Sequence, residues 1–189
     1  SLEHFLGTDQ LGRDIFSRVL VGGQIALKVS LISIGVALLI GLTLGLIAGF
    51  GPRWIDNILM VLFDSVRSFP TVMFALAVVT LFGPSLETIM IIVIVTQIPI
   101  YGRMVRSQTL ALKNSEFILT EQAIGAGFFR IIFVHMLPNV IGPLLILASM
   151  DIPFVITIEA GLSFLGMGVR PPTPSWGTIL NDGYSYIYN

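Results

Sequence analysis

The residues of this chain best placed to do chemistry are four ionisable side chains set in apolar sequence: Asp64, Arg67, Asp151 and Glu159. An ionised group at the centre of a membrane helix costs roughly 2.5–3.5 kcal/mol on insertion scales, so each needs a partner or water. Asp64 and Arg67 stand three residues apart, which puts them on one helix face where they can pair. The alternative is that they line a polar pathway. Asp151 and Glu159 have no local cation, and eight residues separate them, about 12 Å along one helix face. That spacing suits a water-lined path. It equally suits Glu159 at headgroup level with Asp151 paired to another helix. Catalytic chemistry finds no such support. His4 and His135 lie far apart, cysteine is absent, and no G-x-S-x-G, H-E-x-x-H or G-x-x-x-x-G-K-[ST] pattern occurs. Without a phosphate loop for ATP, uphill work would have to draw its energy from a partner.

The elements that must hold these groups are membrane helices. The chain has 189 residues, 54% hydrophobic and only 11% charged, against about 25% charged in soluble domains. Too little charge is present to cover a globular surface, so lipid must cover part of it. A net charge of -1 gives no global field to draw nucleic acid. Apolar runs long enough to span a bilayer are predicted at about 29–50, 57–82, 86–105 and 140–160, making the chain an all-α, polytopic membrane protein with four spans. In the first, Gly41, Gly45 and Gly49 form a smooth stripe that invites close helix packing; a sliding or dimer interface is the other reading. Residues 9–24 read as an amphipathic helix resting in the interface, capped by Thr8 or Asp9, with Ile15, Phe16, Val19 and Leu20 on one face. Residues 161–189 read as a loop: Pro171-Pro172-Thr173-Pro174 excludes regular helix there, while Trp176, Tyr184, Tyr186 and Tyr188 suit an interfacial belt.

A polar island, residues 113–139, separates the third and fourth spans. With its approaches it carries Arg103, Arg106, Lys113 and Arg130, whereas the tail carries only Arg170, so the positive-inside rule places the island in the cytoplasm and the tail outside. The first residues do not form a signal peptide, so further spans are expected beyond both ends. Within the island, Ser115 or Asn114 can cap a helix with Glu116 in its first turn. Phe117, Ile118, Glu121 and Ile124 make a short amphipathic piece. Gly125-Ala126-Gly127 then leaves bare backbone that a partner can approach, and Pro138 marks a break. A docking knob for another protein and a helix lying on headgroups both fit this pattern.

Three ordered segments resemble the permeases of bacterial ABC importers, in particular the dipeptide/oligopeptide/nickel branch. The cytoplasmic signature of that family is E-A-A-x3-G-x9-I-x-L-P. With Gly125 on its glycine, Leu137 and Pro138 fall on its Leu-Pro. Phe117, Ile118, Ala123, Ile124, Gly125, Ala126 and His135-Met136-Leu137-Pro138-Asn139 follow the branch pattern; Leu119, Thr120 and Glu121 replace E-A-A, and Gln122 replaces the following arginine. Residues 6–18 resemble the branch's L-G-T-D-x-x-G-R-D-x-x-S-R, and residues 162–177 resemble its tail after the penultimate span. The resemblance implies a type I importer transmembrane domain holding the second to fifth of six spans, in a bacterial inner membrane. It implies a second permease subunit, two ATPase subunits that bind the ATP and magnesium, and a periplasmic solute-binding protein, with no cofactor or catalysis in this chain. Residues 116–130 would be the coupling helix, contacting an ATPase through Glu116, Phe117, Glu121, Ala123, Gly125, Ala126, Gly127, Phe128 and Arg130 in the frame set by Leu137 and Pro138. Short peptides, then nickel or related small solutes, are the implied cargo. A passive channel and a membrane scaffold are the readings from other classes.

Overall fold

The computed structural model describes residues 4–187 of the chain. Its order is α1 (Ile15–Phe50), α2 (Arg53–Arg67), α3 (Thr71–Phe82), α4 (Leu86–Lys113), α5 (Glu116–Ala123), α6 (Phe128–Arg130), a π-helical turn (Ile131–Met136), α7 (Leu137–Phe164) and α8 (Trp176–Ile187). The stretches Ile15–Phe50, Leu86–Lys113 and Phe128–Phe164 are long and apolar enough to cross a bilayer, and α2 with α3 makes a fourth span only as a bent pair. The fold is all-α, with three to four spans where four were predicted.

The contacts divide the chain into two units. The first gathers the described residues up to Ser33, Thr71–Val93, and residues 152–187. At its N-terminal segment, sequence expectation and structure differ. Residues 9–13 are a turn, not the start of an amphipathic helix over 9–24. The Asp9 carboxylate accepts hydrogen bonds from the Leu11 and Arg13 backbone N–H groups at 2.9 Å and from Arg13 Nε at 2.7 Å. That local competition keeps the backbone out of helix. Asp14 takes the capping role instead, accepting from the Ser17 N–H at 2.8 Å. From Ile15 the helix runs unbroken into the apolar span. The Trp176 indole lies where side chains at Gly22 and Gly23 would stand, and its Nε1–H donates to the Val19 carbonyl at 2.9 Å. The tail is likewise not a loop throughout, because α7 continues to Phe164 and α8 follows the proline segment. Tyr188 lies outside the described residues.

The second unit comprises Ile34–Pro70 and Ile94–Asp151. The glycine stripe of α1 packs on α4. A Cβ at Gly41 would lie 2.7 Å from Tyr101 Cβ, at Gly45 2.6 Å from the Gly102 carbonyl oxygen, and at Gly49 2.6 Å from Thr109 Cβ. The backbones approach because those positions lack side chains. Gly102 of α4 also receives the Phe63 ring of α2. The neighbouring pair then follows: Asp64 bonds Arg103, not Arg67 as i, i+3 spacing predicted. Arg67 is exposed in the last turn of α2, where a cation suits the helix dipole. One turn further along α4, Arg106 clamps Asp56, its Nη2 donating at 2.6 Å. Residues 68–70 end α2, and Pro70 disfavours helix in the residue before it.

Candidate functional site

The island lies wholly in the second unit and is a helix, a turn and a second helix rather than one helix over 116–130. Ser115 stands at the start of α5 in extended conformation, but its hydroxyl donates back to the Leu112 carbonyl at 2.6 Å. Asn114 donates to the Leu110 carbonyl. Neither side chain caps α5 as predicted, because both are drawn into closing α4. Glu116 is exposed in the first turn, where its charge suits the dipole.

The helix ends on Gly125. The Ala126 N–H donates to the Glu121 carbonyl at 2.9 Å and the Gly125 N–H to the Gln122 carbonyl at 3.0 Å, with Gly125 at φ +86°. This is a Schellman closure, which places a left-handed residue just past the helix. The space around Gly125 is open, with nothing within 4 Å of an added Cβ. Gly127, at φ -70°, begins α6. Then comes the π-helical turn. Pro138 has no N–H to offer the Val134 carbonyl, and its ring would clash with that oxygen in a regular helix. The wider turn just before it relieves that conflict, and π-turns are common at functional positions.

Two layers of side chains result. Ile118, Ile131 and Met136 are buried together, with Phe50, Leu112 and Ala126 against them. This anchor seats the island on the ends of α1 and α4. Lys113 Nζ reinforces it, donating to the Phe50 carbonyl at 3.1 Å and lying over the Phe50 ring. The outer layer is apolar and exposed: Ile124 and Phe129 each keep 73% of their surface, and Phe117, Leu119, Phe128, Phe133 and Val134 are also exposed. Phe128 meets the Phe50 ring edge-on at 5.1 Å and Phe129 at 5.5 Å. So many exposed apolar side chains in one short segment call for a cover.

Glu121 does not join that face. It is half-buried, with Oε2 3.6 Å from His135 Nε2 and 4.0 Å from Arg130 Nε, and His135 meets Phe117 edge-on. Glu121 therefore braces α5 against the π-turn, while Arg130 stays exposed. Ala123 and Pro138 are exposed, while Ala126 and Leu137 are half-buried. His135 and Phe50 belong to the island's architecture although nothing in the sequence marked Phe50. His135 was already part of the branch pattern that ends in Leu137-Pro138-Asn139.

The other two ionisable groups singled out in the sequence are Asp151 and Glu159. Asp151 is half-buried beside the buried Tyr101 hydroxyl. Glu159, in the first unit, is fully buried. Among the described residues no group of three or more His, Cys, Asp or Glu is placed to hold a metal.

A family model described as binding-protein-dependent transport system inner membrane component matches residues 41–188. The dipeptide transport system permease protein DppC of Alkalihalophilus pseudofirmus is 42% identical over 187 residues, covering 99% of this chain and 62% of its own length. The glutathione transport system permease protein GsiD of Pectobacterium atrosepticum is 41% identical over 185 residues, covering 98% and 62%. The chain thus spans about 62% of the length of these curated relatives. Among solved structures, a chain of the MetNI methionine ABC transporter in an inward-facing conformation superposes with a TM-score of 0.70 at 18% identity, covering 89% of this chain and 81% of that one. At that identity the likeness is one of fold.

Proposed function

The chain belongs to the family of binding-protein-dependent transport system inner membrane components, and from that premise we propose that it is a permease subunit of an ATP-driven importer of short peptides. The peptide class is supported by the relatives named for dipeptide and glutathione transport. The subunit would form half of the translocation pathway with a second permease. Two ATPase subunits would supply the energy from the cytoplasm, and a periplasmic solute-binding protein would deliver cargo.

The observation that carries the coupling part is the island's two-layer build: an exposed apolar face (Ile124, Phe128, Phe129) on a buried anchor (Ile118, Ile131, Met136). A face that only rested on lipid would not need the anchor. One that transmits force must be stiff behind and sticky in front. Closure of the ATPases would push this knob as one piece and bias the spans between outward and inward access. Glu121 takes a bracing role in this scheme, and the ATPase groove meets the apolar residues instead. Asp64 and Arg67 stand on α2 and Asp151 on α7 as the groups to test for a polar path. Gly125→Trp is expected to leave the protein in the membrane at normal levels and abolish ATP-dependent dipeptide uptake. Normal uptake by that variant would overturn the coupling assignment.

A further inference from the structure

Glu159 has no part in the island, yet it is the most deeply placed acid among the described residues, with no surface exposed. Its Oε1 accepts a hydrogen bond from Ser163 Oγ at 2.8 Å, one turn on. Ser175, also fully buried, faces the same carboxyl from the proline segment. Both hydroxyl oxygens are tied to backbone: Ser163 Oγ accepts from the Val169 N–H at 3.4 Å and Ser175 Oγ from the Thr178 N–H at 3.2 Å. The second carboxyl oxygen, Oε2, is buried without a hydrogen-bond partner. Among the described residues no cation acts on the group. The charged side chains of the segment and of α8 turn elsewhere: Arg170 is exposed, and Asp182 binds Arg18 at 3.1 Å.

An isolated ionised carboxylate in such surroundings is far costlier than a neutral acid. The packing around it is also unusually close. A Cβ at Gly168 would lie 1.9 Å from Ser163 Oγ, and one at Gly177 2.0 Å from the Ala160 carbonyl oxygen. Asn181 of α8 donates to the Phe164 carbonyl at the end of α7. Residues 166–175 are therefore pressed onto the last turns of α7 with the carboxyl at the centre of the contact.

We infer that Glu159 is a positioning residue that, as a neutral acid, fastens residues 166–175 and the start of α8 to the end of α7. The latch makes the segment after the span a fixed extension of α7. What the latch serves rests on the permease reading, whereas the latch itself does not.

The test places a cysteine reporter at Val169, which is nearly buried, and measures maleimide labelling in membranes. A second reporter, Val105→Cys, sits at a fully buried position of α4. In the parent and in Glu159→Gln the Val169→Cys reporter is expected to stay shielded, because an amide keeps the shape and hydrogen bonding of a neutral acid. In Glu159→Leu it is expected to react at least tenfold faster while Val105→Cys stays shielded. Labelling of Glu159→Gln as fast as Glu159→Leu would overturn the neutral-acid role, and shielding in Glu159→Leu would overturn the latch. If Glu159→Leu does not accumulate or exposes Val105→Cys, Ser175→Ala carries the test: about threefold faster labelling supports the latch and unchanged labelling overturns it. Labelling needs no transport, so absence of peptide uptake by the parent would count against the permease reading and leave the latch standing.

Discussion

At Gly45 an added Cβ would press 2.6 Å from a carbonyl oxygen of α4, whereas at Gly125 it would meet nothing within 4 Å, and there the φ of +86° is what calls for glycine. The two sites belong to the same unit and both matched glycine patterns in the sequence, yet they hold glycine for opposite reasons. The stripe on α1 is a requirement of space: two backbones touch, and any side chain forces them apart. The turn after α5 is a requirement of conformation: the chain must pass through a left-handed residue to leave α5 and begin α6. Buried contacts of the first kind govern whether the bundle forms. Exposed geometry of the second kind governs what the bundle presents.

Substitutions separate the two. Gly45→Leu is expected to have the largest effect, about 3 kcal/mol or more of overpacking, read as loss of folded protein from detergent extracts. Normal yield would mean α1 and α4 do not meet as described. Gly125→Ala should cost about 1–2 kcal/mol through the left-handed backbone alone, and should lower uptake with membrane levels unchanged. Gly127→Ala, at an ordinary φ, should change neither by more than about 0.5 kcal/mol. Equal effects at 125 and 127 would remove the conformational half of the comparison.

A third kind of contact is made by charge. Burial alone would raise the Asp9 carboxyl, but hydrogen bonds from the Arg13 and Leu11 N–H groups and from the Arg13 side chain, with its charge, hold it down at about 2. Because the folded value is depressed, the contribution is complete above the ordinary carboxylate value of about 3.9 and is lost as pH falls towards 2. Pepsin cleavage within residues 5–16, measured against a free peptide of that sequence, should be slow at pH 4 and fast at pH 2. Asp9→Asn should be cut quickly at both, and identical rates for parent and variant at pH 4 would show that the turn does not depend on this charge.

These contrasts also explain what the sequence could show. The spans were legible because lipid demands long apolar runs, and the island's frame was legible because Gly125, Leu137 and Pro138 each impose a backbone constraint. Pairing was not. Asp64 could be matched to Arg67 by local spacing, but its partner Arg103 lies 39 residues away and depends on how Phe63 seats on Gly102. The continuity of α1 through Gly22-Gly23 depends on an indole from residue 176, and the start of α1 at Ile15 on which of two aspartates wins the cap. Glu121 read as a contact for a partner although it departs from the family's E-A-A pattern; only the fold shows it half-buried, 3.6 Å from His135. Local rules recovered the elements, and residues brought together from afar decided the details.

Ile124 and Phe129 are the most exposed apolar residues of the island, and Ile124 gives the direct test of whether the island seats on an ATPase subunit. A cysteine at Ile124, in membranes that also hold the proposed ATPase subunits, should form a short-range crosslink to an ATPase subunit, with a yield that changes on adding ATP. A cysteine that instead reacts only with lipid-phase reagents, and never with the ATPase, would contradict the account.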